Sequence, residues 1–461
     1  MDAIANRIPT VLDYLRYATG QDQQFAQASQ QPFILRQGQP PAWSDANLHQ
    51  SAWEQNPELY ALCSIASMVP HPQRQRILFQ ILKASHTSLT PEVRHTLERV
   101  SNILLAILPT EQVLTIFLAL RRERANHKHT SRAILRYILN HPNLAELAVG
   151  RRPTLVDCLE HALGRNVARA CAKAETNPTY IQRHLLKWAK DPAQVKEIFP
   201  ALYQKGKRAK STSAPEQLTS QFAQRLEPAV PRPTTVTATN RGDISATLVH
   251  LYRGGISVEL RQALENYVVQ AAETLPKFDG KLALVLDASA STRGYGEREF
   301  CNISQSVALK LVLKQCCSNL QVYTVGDRNE IPIPSGSTDL AGALLDALES
   351  QPDMVAIVSD GYENAYPGDL ARVAATLPQA GIQTPVVFCH SKFTKSDDLT
   401  WRRPATNLPQ LEFWHQDDFE PLMVSLLALA DGKASETSLK EYLLRKIGNR
   451  ELREQGTGNR E

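Results

Sequence analysis

The stretch from Lys281 to Ser291, KLALVLDASAS, limits the fold more than any other part of the chain. A five-residue apolar run, Leu282 to Leu286, stops abruptly at Asp287, Ser289 and Ser291. A short bounded apolar run of this kind reads as a buried parallel strand. The polar residues then fall at the carboxyl end of that strand, where open α/β sheets place their ligand sites. Three oxygen donors at alternating positions suit a hard cation such as Mg²⁺, which takes oxygen ligands in octahedral geometry.

Two later segments extend the pattern. In PSGSTDLAGALLDAL, Thr338 follows a Gly/Ser loop and opens a helix. In MVAIVSDGYEN, Met354 to Val358 reads as another buried strand, with Asp360 just past its end. Asp-x-Ser-x-Ser, then Thr, then Asp, each in these contexts and in this order, resembles the metal-ion-dependent adhesion site (MIDAS) of von Willebrand factor A (vWA) domains. The resemblance implies a cation shell of Asp287, Ser289, Ser291, Thr338 and Asp360. The three hydroxyls would face Mg²⁺ or another divalent cation, and the two carboxylates would act largely through bound water. An acidic side chain of a protein partner would fill the open position. The alternative is a Rossmann-like domain with a hydroxyl-rich loop and no metal. Around these motifs the chain alternates strands and helices. Strands are expected at Leu282–Leu286, Leu320–Val325, near Ile331–Ile333, at Met354–Val358 and at Thr384–Cys389. Helices are expected near Ser304–Cys316, up to Leu348, at Gly368–Leu377 and at Phe419–Leu429. That alternation predicts an α/β domain with a doubly wound parallel sheet over 281–432.

A chain of 461 residues has room for two or three domains. Its start has the acidic Asp2 and no long apolar core, so no signal peptide is expected. No run of about 18 apolar residues is present, so no membrane span is expected. The seven cysteines form no CxxC pair, which fits reduced thiols in a cytoplasmic protein. The net charge of +4 hides an asymmetry. Residues 1–240 hold 29 Lys and Arg against 18 Asp and Glu, whereas 241–461 hold 22 against 29. A basic half joined to an acidic half points to a polyanion as partner of the first; a merely solvated basic surface is the alternative.

Residues 1–50 read as an irregular Gln-rich segment with one amphipathic stretch, Ile8 to Tyr17. From 51 to 240 the apolar residues recur at helical spacing, and Pro57, Pro72, Pro91, Pro109, Pro142, Pro153, Pro178 and Pro192 stand at or near helix starts. An all-α helical-repeat domain of the HEAT kind is expected, with a compact irregular bundle as the alternative. Its basic residues concentrate in 121–210, which holds 19 Lys and Arg against 7 Asp and Glu. Arg121, Arg122, Arg124 and Lys128 form one cluster. Arg165, Arg169 and Lys173 fall on one helix face, and Arg183, Lys187 and Lys190 are expected on another. Such a ladder has cations about 6 Å apart along the axis, as a nucleic-acid backbone requires. Lys205, Lys207 and Arg208 lie in an expected basic loop. Tyr180 and Trp188 are core residues or base-stacking platforms. His127 and His129 read as surface residues, and Cys389-His390 as core followed by loop. A Pro/Thr linker is expected at 227–242, where Arg241-Gly242-Asp243 needs no adhesion role. A connecting strand and helix at 241–280 includes an amphipathic helix at Val258–Leu275, and a charged tail covers 433–461, disordered or docked on a partner.

A basic helical domain before such an A domain resembles the Ro family of RNA-binding proteins, whose helical part is the TROVE module. The residues carrying the resemblance are RQALENYVVQAAETLP, LALVLDASAS, GSTDL and IVSDGYEN, with ALGRNVARA a looser match in the helical half. The chain departs from the family at Thr292, where Met is common, and in a helical part shorter than the family's ring of repeats. The resemblance implies a non-catalytic scaffold that holds small structured or defective RNA through the cations of 121–210. Its A domain would recruit a protein partner, such as an exoribonuclease. The alternative function is an A-domain adaptor of a MoxR-type AAA+ ATPase. An enzyme in the helical half is the third reading, but no base stands beside a nucleophile, and neither GxxxxGK[ST] nor HExxH is present.

Overall fold

The computed structural model describes residues 10–19, 33, 35, 41, 43–173, 178–204, 242–254, 257–399, 402–430 and 432–457, the last helix with side chains to 448. The chain divides into two units, Met1–Val230 and Pro231–Glu461. Among the described residues no helix is long and apolar enough to cross a membrane. All seven cysteines are buried free thiols.

The described part of the first unit is helical. Its helices are α1 (Val11–Ala18), α2 (Ala46–Gln55), α3 (Pro57–Cys63), α4 (His71–Lys83), α5 (Pro91–Ile107), α6 (Thr110–Arg122), α7 (Lys128–Leu139), α8 (Leu144–Gly150), α9 (Arg152–Leu163), α10 (Arg165–Lys173), α11 (Pro178–His184) and α12 (Pro192–Tyr203). Proline occupies the first turn of α3, α4, α5, α9 and α12, where its missing N–H costs nothing. Side-chain caps from Asn56, Thr90 and Asp191 mark three of those starts. The stretch PELYALCSIASMV, which reads as one helix, breaks after Cys63. The buried Arg74 guanidinium accounts for the break by donating to the carbonyls of Ser64 (3.0 Å) and Ala66 (3.0 Å).

The described residues before position 50 are less irregular than expected. Helix α1 starts with a capping box between Thr10 and Asp13, and Tyr14 and Leu15 are fully buried. The segment is tied down by Asp45. One carboxylate oxygen of Asp45 receives Arg76 Nη1 (2.6 Å), Tyr17 Oη (2.9 Å) and Gln73 Nε2 (2.9 Å), with His49 Nε2 at 3.5 Å. Arg76 is 1 % exposed, an arginine inside an apolar core. Burial opposes ionisation of Asp45, but His49, Gln73 and Arg76 outweigh it and hold the carboxyl at about 2.

The second unit is α/β. Helices α13 (Ile244–Gly254) and α14 (Val258–Glu273) lead into β1 (Phe278–Ala288). There follow α15 (Cys301–Cys316), β2 (Cys317–Gly326), α16 (Leu340–Glu349), β3 (Met354–Ser359), α17 (Asp369–Thr376), β4 (Val386–Ser391), β5 (Gln410–Phe413), α18 (Phe419–Ala430) and α19 (Lys433–Thr457). The sheet is parallel throughout, in the order β2-β1-β3-β4-β5. Ala283, Val285, Val355, Ile357 and Phe388 share one face and pack with Leu340, Leu344 and Leu370 of α16 and α17. Helices α15 and α19 also pack on β1, and successive side chains along a strand point to opposite faces. Both faces are therefore covered, which explains why the strands read as unbroken apolar runs.

Four expectations need correction. Ile331–Ile333 forms no strand: Asp327 accepts from the amides of Asn329 (3.2 Å) and Ile333 (2.8 Å), and two prolines flank Ile333. The short strand β5 was not anticipated from its four residues. Cys389 and His390 both lie inside β4 and are buried, with His390 Nε2 2.6 Å from Gln410 Oε1. The expected tail begins instead as α19, which buries Leu439, Tyr442, Leu443 and Ile447. Asp243 of the Arg-Gly-Asp triplet has a structural place, since Oδ1 accepts from Ala246 N (2.9 Å) and Oδ2 lies 2.8 Å from His415 Nε2.

Two predictions follow from these buried charges. Asp45→Ala removes the buried carboxylate that Arg76, Tyr17 and Gln73 share and lowers the stability of the helical unit by about 3–5 kcal/mol in urea unfolding. For His415, burial opposes protonation, but Asp243 and Asp417 outweigh it and raise the imidazole from 6.5 to about 9. A raised folded value means the stabilisation is complete below 6.5 and is lost as pH rises through about 9. The melting temperature of the α/β unit should fall over that window, and His415→Asn should flatten the fall.

Candidate metal centre

Strand order places the site. β1 lies between β2 and β3, so the connections leaving β1 and β3 diverge to opposite sides and open a crevice at their carboxyl ends. Asp287 stands in register with Val325 at the end of β1, and Asp360 follows the last residue of β3. Thr338 comes from the loop before α16. It does not open the helix, because Asp339 is the N-cap and accepts from Gly342 N at 2.8 Å.

The five expected residues converge. Thr338 Oγ1 donates to Ser289 Oγ at 2.7 Å, and Ser289 Oγ lies 3.0 Å from Ser291 Oγ. Asp287 Oδ1 accepts from Ser289 N at 2.9 Å. Asp287, Ser289 and Thr338 are 0 % exposed and Asp360 is 1 % exposed. Backbone bonds lock the loops together: Ser335 N donates to Ala288 O (3.0 Å), Ala290 N to Gly336 O (3.1 Å) and Ala365 N to Thr338 O (3.2 Å). Gly326 and Gly361 have φ of +95° and +89°. A Cβ on Gly326 would stand 2.5 Å from Ala288 O, and one on Gly361 would strike the carbonyl of Arg402.

The residues present fit a divalent cation. Asp287 and Asp360 are two buried carboxylates in one crevice. Burial pushes Asp287 up, against hydrogen bonds from Ser289 and Ser359. Burial and then the neighbouring Asp287 push Asp360 up to about 7. Asp360 Oδ1 accepts from Tyr362 N at 3.1 Å, but its buried Oδ2 has no hydrogen-bond partner. Such an atom is costly unless a cation or water meets it. Among the described residues no group of three or more His, Cys, Asp and Glu is placed to hold a metal. The hydroxyls must therefore complete any shell, and they suit a hard cation rather than Zn²⁺.

Two supporting residues were missed in the sequence. Ser359 Oγ donates to Asp287 Oδ2 at 2.6 Å and accepts from Gly361 N at 3.0 Å, so one hydroxyl couples the ends of β1 and β3. It was hidden because it closes the apolar run as an ordinary strand residue. Arg402, over the Tyr362 ring at 5.7 Å, reaches Asp360 O at 3.5 Å from more than forty residues away.

The cations of the helical unit are less ordered into stripes than expected. Arg165, Arg169 and Lys173 are all exposed on α10, with Arg169 paired to Glu160 at 3.1 Å. Arg121 is paired with Asp157, while Arg122, Arg124 and Lys128 are exposed between the end of α6 and the start of α7. Arg183, Lys187 and Lys190 do not share a helix. α11 ends at His184, Lys187 sits in a 3₁₀ turn, and Lys190 precedes α12. Asn140 breaks the run by donating to Trp188 O (2.9 Å) and accepting from Lys190 N (2.6 Å). Lys205, Lys207 and Arg208 lie outside the described residues. His127 and His129 are half-buried and stacked, not free surface side chains.

Comparison with known proteins adds little. No family model and no curated protein matches the chain. Among solved structures it is similar to the Ro protein (RSR) of Deinococcus radiodurans, at 12 % identity and a TM-score of 0.35, over 87 % of this chain and 96 % of that one. At that level the residues' own geometry remains the ground for a functional reading.

Mg²⁺ should raise the melting temperature of the α/β unit, by about 2.7 kcal/mol of added stability at a hundredfold excess over Kd. Asp287→Asn and Thr338→Ala should each abolish that shift in a thermal-denaturation titration. Gly361→Ala should abolish it too and lower the metal-free stability, because alanine is strained at its φ.

Proposed function

We propose that this protein is a non-catalytic RNA-binding scaffold whose α/β unit is a vWA-type domain that recruits a protein partner through a divalent cation, Mg²⁺ by preference. One observation carries the reading. Five oxygen-bearing side chains from three segments meet at the carboxyl ends of β1 and β3, with a buried Asp360 oxygen left unsatisfied. Hydroxyls that hold a cation without enclosing it leave room for an acidic residue of a partner. On this reading the helical unit, a TROVE-like array of HEAT-like pairs, supplies the polyanion-binding surface. The exposed Arg165, Arg169 and Lys173 on α10 support that assignment, as do Arg122, Arg124 and Lys128. RNA is preferred over a membrane because the apolar side of α10 is turned into the core through Ala168 and Cys171, leaving its cations, not an apolar stripe, exposed. The protein would act in the cytoplasm on small structured or defective RNA, and an exoribonuclease is a fitting partner.

Purification from the native cell tests this. A salt-sensitive RNA should accompany the protein. Replacing Arg165, Arg169 and Lys173 by Ala should flatten the salt dependence of binding by about 2 in slope, at roughly 0.7 per phosphate contact on a single strand. Asp287→Ala, or chelation of the wild type, should release the protein partner and leave RNA affinity unchanged. A protein free of RNA that carries an AAA+ ATPase, released by chelator, would establish the adaptor reading instead.

A further inference from the structure

A groove of about 370 Å³ in the helical unit has, apart from Lys128, no part in the roles described so far. Its size falls within the roughly 300–1,000 Å³ of small-ligand sites. The end of α4, one face of α5 and the start of α7 form its walls. Leu82, Leu97 and Ala133 give it an apolar floor, while Arg94, Lys128, Arg132 and Arg136 bring four cations. Among the described residues Glu98 is the one carboxylate lining it, and a single oxygen of Glu98 serves both Arg132 (3.5 Å) and Arg136 (3.0 Å). Helix α7 begins in this wall without a side-chain cap, so its first N–H groups add to the positive potential.

Aromatic rings accompany the charge. Trp53 and His86 are stacked at 6.0 Å, His86 and His129 at 3.7 Å, and His129 and His127 at 5.5 Å, the last two pairs within 6° of parallel. The column runs from the buried Trp53 out to the half-buried His127. Burial holds His86 and His129 below the ordinary imidazole range, so at neutral pH both are uncharged and stack without mutual repulsion. On the flank, the Trp188 ring packs against the guanidinium groups of Arg132 (5.9 Å) and Arg136 (5.7 Å), which fixes both.

A ring column that ends at the rim of a cationic, apolar-floored groove suits a ligand with planar rings joined by negative charges. We infer that the groove seats a short single-stranded RNA segment, with a base stacked on His127 and the flanking phosphates held by Arg94, Lys128, Arg132 and Arg136. The inference rests on the RNA-binding reading above and adds a site that recognises bases as well as phosphate. Double-stranded RNA does not fit, because its bases are already stacked on one another and are not free to meet the imidazole.

The test is fluorescence anisotropy of the full-length protein with a short labelled oligoadenylate, at several salt concentrations. His127→Ala should weaken binding about tenfold, in the range of one lost base-stacking contact. His127→Phe should retain the affinity, because it keeps the ring. Arg132→Ala with Lys128→Ala should reduce the salt slope by about 1.4. An abasic oligomer of the same length should bind wild type and His127→Ala equally. Circular dichroism of each variant separates loss of the site from loss of the fold, and His127→Phe carries the argument if His127→Ala unfolds. Full affinity in His127→Ala, with binding lost only in the α10 triple variant, overturns the groove and leaves the RNA reading intact. Failure of the wild type to bind any RNA overturns both.

Discussion

Two carboxylates buried at the ends of neighbouring parallel strands set the terms for the α/β unit. Asp287 and Asp360 are held in one crevice by the pairing of β1 with β3, and neither can turn to solvent. Burial disfavours charge on both, and Asp287 makes ionisation of Asp360 more difficult still. The fold tolerates them because nearly every nearby donor is directed at them or at the hydroxyls between them. Ser359 and the amides of Ser289 and Tyr362 are spent this way, and Glu363 fixes the following loop through Gly368 N and Leu370 N. The oxygen still unsatisfied after that effort is what gives the site its claim to a cation.

The helical unit answers a related problem differently. Its buried charges, Asp45 and Arg76, meet each other: Asp45 Oδ2 takes Arg76, Tyr17 and Gln73, while the buried Oδ1 has no hydrogen-bond partner. The hub joins α1, the start of α2 and α4. The contrast helps separate structure from function. At Asp45 the chain itself supplies the opposite charge, whereas a buried pair of like carboxylates with hydroxyls beside it invites an external cation. The groove between α4, α5 and α7 belongs with the second kind, since four cations line it beside Glu98, which pairs with Arg132 and Arg136.

Much of the α/β site was legible in the sequence, because each motif sits directly after its own strand or loop. An apolar run that ends in Asp-x-Ser-x-Ser reports its burial and its polar end within eleven residues. Ser359 was not legible, since a serine that ends a strand has no local mark of the carboxylate opposite it. Arg402 was not legible either, because it arrives from a loop far along the chain. The stripe of Arg183, Lys187 and Lys190 failed for a similar reason. Its spacing is helical, but Asn140, some fifty residues earlier, takes up the backbone that the helix would have used.

The sequence by itself determined the class of each half, four of the five strands and the identity of the five crevice residues, because hydrophobic periodicity and strand-end polarity are local properties. The tertiary structure alone decided which strands became neighbours, which carboxylate oxygen was left without a donor, and that three histidines on two segments stack into one column. Those outcomes depend on distances between residues far apart in the chain. They are fixed only when the helices and sheet pack, and no local pattern encodes them.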